Sequence, residues 1–234
     1  MDKLHSLAIF RQAGLLVPDF EVIDKRSDLY SHYRGPTSIV RKLGWPLVVK
    51  PSNHGSSVGI SIVKNQKATE PALKEAFRYS EKVLLQKFIR GRELTCGILE
   101  DEKGRLIPLP PTEIIPKKGE FYDYHSKYDE GGSEHIVPPR GMPKKIINKI
   151  QGAACRAHSV LGCSGMSRSD FILGEDGKLY ILEINTIPGM TRTSLLPEAA
   201  KATGIYFPQL LDMLIKNALG KKRRAVFSFQ NLIE

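Results

Sequence analysis

The chain has 234 residues, with 35 Lys and Arg against 25 Asp and Glu and a formal net charge of +10. A hydrophobic share of 41% and a charged share of 26% are ordinary for a folded domain and exclude a disordered tail, a collagen or a fibrous repeat. The apolar runs stay short of the ~18 residues a membrane helix needs. His5 and Arg11 interrupt the first of them, so it does not read as a signal peptide.

In chain order, a helix is expected from about Lys3 to Gln12, ended by Gly14, and then a short strand at Glu21–Ile23. Residues 26–36 read as a loop, Pro36–Leu43 as a helix, and Pro46–Lys50 as a strand stopped by Pro51. The small-residue loop Ser52–Gly59 leads to a strand at Ile60–Val63 and a helix at about Glu70–Ser80. Strands follow at Val83–Ile89, Glu93–Leu99 and Leu106–Ile115. The polar, Gly- and Pro-rich stretch 116–141 is long enough to be a functional lid. Ile146, Ile147, Ile150, Ala154, Ala157 and Leu161 give the clearest helical stripe, over Pro143–Leu161. The last helix carries Phe207, Leu210, Leu211, Leu214, Ile215 and Ala218, and residues 220–234 read as a basic tail. Strands that follow one another directly favour α+β layers with antiparallel sheets.

Cys96, Cys155 and Cys163 are too few and too scattered for a disulfide framework or a zinc site, and read as reduced thiols. The block Lys221-Lys222-Arg223-Arg224 reads as a solvated charge run, and the rest of the chain is only mildly basic. That balance suits an anionic small molecule at least as well as nucleic acid.

The most informative segment is Ser167–Thr186, two alternating runs around Asp176-Gly177. A two-residue turn there sets Glu175 opposite Lys178, and so Asp170 opposite Glu183, Arg168 opposite Asn185 and Phe171 opposite Leu182. Arg168, Asp170, Glu183 and Asn185 then share one face, and directly opposed Cβ atoms lie about 5 Å apart. Two carboxylates so placed repel. Arg168 can offset this as a buried ion-pair cluster, or a divalent cation can, since Asp, Glu and an Asn carbonyl are hard oxygen ligands. A glycosidase acid pair is a third reading with little beside it to support it. The loop Lys50–Gly59 offers backbone N–H groups and hydroxyls beside a lysine, a pattern able to cradle phosphate, although it is neither a Walker A loop nor a GxGxxG turn.

Taken together, KPSNHGSSVG, the Gln86–Ile89 segment with Glu93, FYDYHSKY (Phe121–Tyr128), SRSDF and LEINTIPGMTRTSL (Leu182–Leu195) resemble the D-alanine–D-alanine ligases of the ATP-grasp superfamily, in order and from Met1 to about Leu219. The resemblance implies an ATP-grasp fold: two α/β lobes, residues 1–88 and 89–219, with largely antiparallel sheets enclosing a nucleotide cleft. It implies that Lys3, Lys50 and Lys127 neutralise ATP phosphates, with Ser56 and Ser57 closing over them. Gln86 (through its backbone), Lys87 and Ile89 would hold adenine against Val48, Phe88, Phe121 and Leu182, and Glu93 the ribose. Family members usually carry Glu where Gln86 stands. Asp170, Glu183 and Asn185 would hold two Mg²⁺ (or Mn²⁺) ions. Arg168 and the N–H of Gly189 would stabilise the tetrahedral oxyanion, Ser194 and Leu195 would hold the second substrate's carboxylate, and Lys127-Tyr128 would sit in a lid over residues 116–136.

The activity so implied is the ATP-dependent joining of two D-alanines for peptidoglycan precursors. It would be carried out in the cytoplasm by a usually homodimeric enzyme, with no nucleic-acid or membrane partner. Family members carry a further N-terminal domain before the motif that the opening Met1-Asp2-Lys3 resembles, so the expectation for this polypeptide is Mg-ATP binding with poor ligation or none by itself. The alternatives are an ATP-grasp ligase for other amino or hydroxy acids (His125 keeps D-lactate in view), an inactive nucleotide-binding remnant and, last, a basic nucleic-acid-binding protein.

Overall fold

The computed structural model of the chain describes residues 2–26, 37–54, 58–116 and 132–230, with residues 37, 38 and 221–230 described by their backbone alone. Asp2 opens the first element. Its carboxylate accepts from the N–H groups of Leu4 and His5, at 2.7 and 3.3 Å, and caps helix α1, Lys3–Gln12. Gly14, at φ 76°, turns the chain out of the helix, as expected from the sequence.

Residue contacts divide the chain into two units. The described parts of Met1–Arg92, Ile115–Glu134 and Ile172–Leu182 form the first; those of Glu93–Ile114, His135–Phe171 and Glu183–Glu234 form the second. The first unit thus takes in two later segments that a linear division of the chain leaves out.

In the first unit, strands β1 (Phe20–Asp24), β2 (Leu47–Pro51), β3 (Ser61–Val63) and β4 (Lys82–Lys87) make an antiparallel sheet in the order β1-β4-β2-β3. Helices α2 (Thr37–Leu43) and α3 (Gln66–Ala76) supply Leu43, Leu73 and Ala76 to a core with Leu47, Val49, Val83 and Leu85. Helix α3 starts four residues before the expected Glu70, because Asn65 caps it: its side chain accepts from the N–H of Ala68 at 3.1 Å. Pro71 lies inside the helix.

The second sheet holds β5 (Gly91–Glu100), β6 (Leu106–Pro108), β7 (Thr112–Pro116), β8 (Ser133–Ile136), β9 (Met166–Gly174) and β10 (Leu179–Asn185). Its order is β10-β9-β5-β7-β8, with β6 also on β5. The single strand expected over Leu106–Ile115 is two strands, since Pro110 and Pro111 have no N–H to give a ladder. Strand β8 lies within the stretch expected to be a loop. Helix α4, Lys144–Val160, buries Ile150, Ala154, Ala157 and His158. Helices α5 (Leu195–Lys201) and α6 (Phe207–Gln230) bring Leu196, Ala199, Ala200 and Leu210 to a core with Leu99 and Leu109. The first of these was not anticipated, and α6 continues through the segment expected to be a tail. Asn217, 3% exposed, docks α6 by donating to the Asp101 carbonyl at 2.8 Å and to Glu100 at 3.4 Å. Among the described residues no helix is long and apolar enough to cross a membrane.

Strand β5 begins where the backbone of Leu173 approaches closely: a Cβ added at Gly91 would lie 2.1 Å from the Leu173 carbonyl oxygen. Gly91→Ala is therefore expected to lower stability by about 1–3 kcal/mol. Gly152→Ala is expected to raise it by about 0.5–1 kcal/mol, because Gly152 lies within α4 and a Cβ there meets nothing within 4 Å. Urea unfolding of the two variants checks both signs.

Candidate functional site

The first unit holds two buried ammonium groups, on Lys3 and Lys50, each 6% exposed. Such groups persist only where oxygen atoms or anions replace water. Lys3 sits in the first turn of α1. Its N–H donates to the Ser52 carbonyl at 2.8 Å, and its ammonium donates to the carbonyl of His54. The lysine is thereby fixed to the start of the small-residue loop that follows β2. Ser52 anchors that loop, with its N–H on the Lys82 carbonyl at 3.0 Å and its hydroxyl 3.0 Å from that of Ser80. Gly59 closes it at φ 69°, where a Cβ would come within 2.8 Å of the Tyr79 ring. Ser56 and Ser57 lie outside the described residues, as do Phe121, Lys127 and Tyr128.

Gln86 occupies β4 between Phe20 of β1 and Val48 of β2. It is 2% exposed, and among the described residues its side-chain Nε2 has no hydrogen-bond partner. A buried donor without a partner carries a desolvation cost of about 1–3 kcal/mol, which an acceptor reaching Nε2 would remove. Past it, the N–H of Lys87 donates to the Asp19 carbonyl at 2.8 Å and that of Phe88 to the Pro46 carbonyl at 3.2 Å. Lys87 is exposed, while Val48, Phe88, Ile89 and Leu182 are half-buried.

In the second unit, Glu93 stands half-buried on β5, opposite Ile114. Strand β9 alternates cleanly: Ser167, Ser169 and Phe171 are fully buried, and Arg168 and Asp170 look to the other face, half-buried. Arg168 grips Asp170 with its planar fork, Nε to Oδ1 at 2.9 Å and Nη2 to Oδ2 at 3.0 Å. The side-chain amide of Asn185 donates to the same Oδ2 at 3.3 Å. Glu183, two residues before Asn185 on β10, is half-buried.

The turn that joins these strands differs from the expected one. Gly174, not Glu175, faces Lys178: its N–H donates to the Lys178 carbonyl at 2.8 Å, and the N–H of Gly177 donates to the Gly174 carbonyl at 2.9 Å. With Gly177 at φ 74°, this is a three-residue loop with a G1 bulge. An unbroken ladder from there would set Asn185 opposite Ser167, on the wrong face for Asp170. The burial pattern shows the compensation. Leu179 and Ile181 are buried, Leu182 and Glu183 are both half-buried, and Ile184 is buried again. One residue of slack in β10 at Leu182–Glu183 restores the parity that puts Asn185 on Asp170. Phe171 accordingly shares burial with Ile181 and Ile184, not with the half-buried Leu182.

Beyond β10, Gly189 sits where a Cβ would come within 2.8 Å of the Ser194 hydroxyl. Ser194 caps α5 without a side-chain cap bond. Its hydroxyl turns back instead, 2.8 Å from that of Thr191 and accepting from the Thr191 N–H at 3.0 Å. Leu195, 9% exposed, follows it into the core. The sequence reading missed Thr191, which closes this turn, and His158, whose Nδ1 lies 2.8 Å from the buried hydroxyl of Ser167 under the Arg168–Asp170 strand. Only the place of His158 within an otherwise apolar helical stripe could have flagged it.

The two antiparallel sheets, the lysine-held loop after β2 and the acid-bearing hairpin define the α+β ATP-grasp class, as the solved structures bear out. The D-alanine–D-alanine ligase of Bacillus anthracis superposes with a TM-score of 0.79 at 35% identity, covering 96% of this chain and 69% of that one. A structure of the Bacillus anthracis ligase complexed with ATP superposes with a TM-score of 0.77 at 34% identity, covering 96% of this chain and 68% of that one. The D-alanine–D-alanine ligase of Geotalea uraniireducens is 44% identical over 220 residues, 93% of this chain and 66% of its own length. The model of the family D-ala D-ala ligase C-terminus matches residues 9–216, and the chain belongs to that family. It spans about two thirds of the length of the curated relatives it matches, 66% and 65% for two of them.

The tip of the hairpin gives a pH signature. The Asp176 carboxylate accepts from the Lys178 N–H at 3.0 Å and from the Tyr180 hydroxyl at 2.8 Å, which together hold its carboxyl below the usual carboxylate range. A carboxyl lowered by folding stabilises the fold above its unfolded pKa of about 3.9 and loses that contribution as pH falls through the folded value. Acidification from about pH 5 to about pH 2.5 is expected to lower the urea midpoint more in the unsubstituted chain than in Asp176→Ala.

Proposed function

We propose that this chain carries out the ATP-dependent joining of two D-alanines, in the cytoplasm, for peptidoglycan precursors. The observation that carries the reading is the meeting of Arg168, Asp170 and Asn185 on one face of the β9–β10 hairpin, with Glu183 beside them. Asp, Glu and an Asn carbonyl are the hard oxygen donors that Mg²⁺ or Mn²⁺ takes. The donor set fits such an ion, with Asp170, Glu183 and Asn185 as its ligands. Bound there, the ion would neutralise phosphate charge during transfer.

The residues of the first unit supply the nucleotide side of the reading. Buried Lys3 and Lys50 match the triphosphate in charge, and Gln86, Lys87, Phe88, Ile89, Val48 and Leu182 supply polar and apolar surface for a purine. Glu93 takes the ribose hydroxyls. Ser56, Ser57, Phe121, Lys127 and Tyr128 keep the roles the resemblance implies.

In the reaction, a carboxylate oxygen of the first D-alanine attacks the γ-phosphorus and ADP leaves. The amine of the second D-alanine, having given up a proton, attacks the acyl carbon, and phosphate leaves with its electron pair. Neither step needs a covalent bond to the protein, so positioning and charge stabilisation carry the rate. Arg168 and the N–H of Gly189 stabilise the oxyanion of the second step. Ser194 and Leu195, at the start of α5, hold the second carboxylate.

Two outcomes are expected from the purified chain. ATP should protect it from heat only when Mg²⁺ or Mn²⁺ is present, and Asp170→Asn or Glu183→Gln should remove that dependence. D-alanine should then drive phosphate release with the dipeptide as product, and Arg168→Met should slow this about 10²- to 10³-fold. Protection indifferent to the divalent ion, or phosphate release indifferent to D-alanine, would contradict the reading.

A further inference from the structure

Both oxygens of the Asp170 carboxylate are engaged by a single guanidinium, at 2.9 and 3.0 Å, and the two side chains are only 17% and 14% exposed. A bidentate fork of this kind takes two of the roughly four in-plane lone-pair positions of the carboxylate that a metal ion could use. The third contact on Asp170 has the same polarity: Asn185 presents its N–H to Oδ2, whereas an ion shared between the two would need the amide oxygen turned inward. The donors around Asp170 are therefore arranged as a stand-in cation. Arg168 is also the group assigned above to the oxyanion, and a fork committed to Asp170 through Nε and Nη2 cannot offer that same pair of N–H groups to an acyl oxygen.

We propose that Arg168 and the divalent ion are mutually exclusive ligands of Asp170, and that loading the metal releases the guanidinium toward the reacting acyl group. The inference rests on the reading of Asp170 as a metal ligand. It makes Arg168 a built-in competitor as well as a catalytic group: the fork neutralises the acidic face until the ion takes over, and the exchange couples metal loading to the arrival of the oxyanion stabiliser. Arginine suits this role through its planar fork, which lysine lacks.

Mn²⁺ binding to the full 234-residue chain, followed by the paramagnetic resonance of free Mn²⁺, tests the exchange. Arg168→Gln should bind Mn²⁺ about tenfold more tightly. Arg168→Lys, which keeps the charge and loses the fork, should fall between Gln and the unsubstituted chain. A second readout needs no variant: Mn²⁺ should raise the labelling of Arg168 by phenylglyoxal, measured by peptide mass spectrometry. Unchanged affinity in both variants, a Lys variant identical to the unsubstituted chain while Gln alone tightens (a plain field effect), or labelling that stays level or falls would each overturn the exchange. Asp170→Asn separates this from failure of the underlying reading. If Mn²⁺ affinity survives that substitution, Asp170 is not a ligand at all. If the affinity is lost while the Arg168 variants behave like the parent, the exchange alone is wrong.

Discussion

Carboxylates gathered on one face of a strand pair repel at close range in a medium less polar than water, and the fold must supply positive charge to keep them there. Much of the local structure around Asp170 follows from that requirement. Arg168 is two residues away, so strand alternation alone delivers it to the same face. Asn185 comes from the neighbouring strand, and its position depends on the irregularity at Leu182–Glu183 as much as on the turn. Behind them, Ser167, Ser169 and Phe171 are buried, and the His158–Ser167 pair ties helix α4 to the underside of β9. The acidic face is thus displayed on a strand anchored from behind by buried side chains.

The first unit shows the opposite charge problem. Lys3 and Lys50 are as deeply buried as apolar core residues, and a buried ammonium is as demanding as a buried carboxylate. The carbonyl of His54 accepts from the Lys3 ammonium, and that of Ser52 from the Lys3 backbone N–H. Gln86 adds a polar group in the middle of a sheet whose neighbouring positions Leu84 and Leu85 are fully buried and apolar. The buried cations and Gln86 thus belong to one unit, and the acids, the guanidinium and the turn at Gly189–Ser194 to the other.

Much of this was legible in the sequence, for identifiable reasons. Helices α1 and α4 carry strong period and end signals at Asp2, Gly14, Pro143 and Gly162, and both lie where expected. The partnership of Arg168 and Asp170 could be read because side-chain alternation holds along β9. The turn could not: Asp176-Gly177 suits both a two-residue link and a type I turn with a bulged glycine, and only the Gly174–Lys178 hydrogen bond decides between them. The wrong turn and the unseen slack in β10 shift the register by one residue in opposite senses, so the expected face was right for a reason that the sequence did not contain. The start of helix α3 was set four residues late because the Asn65 cap went unread, and α5 was missed because seven residues are too few to show a period. Membership of the ligase family came from the order and spacing of several short motifs, none of them specific alone.

The central claim is that the acids of the β9–β10 hairpin exist to hold a divalent ion. A crystal of this chain grown with ATP and Mn²⁺, measured at a wavelength where manganese scatters anomalously, addresses it directly. The account predicts anomalous peaks within coordination distance of the Asp170, Glu183 and Asn185 oxygens, with the Arg168 fork withdrawn from Asp170. Bound ATP with no peak at those oxygens, and Arg168 still on Asp170, would contradict it.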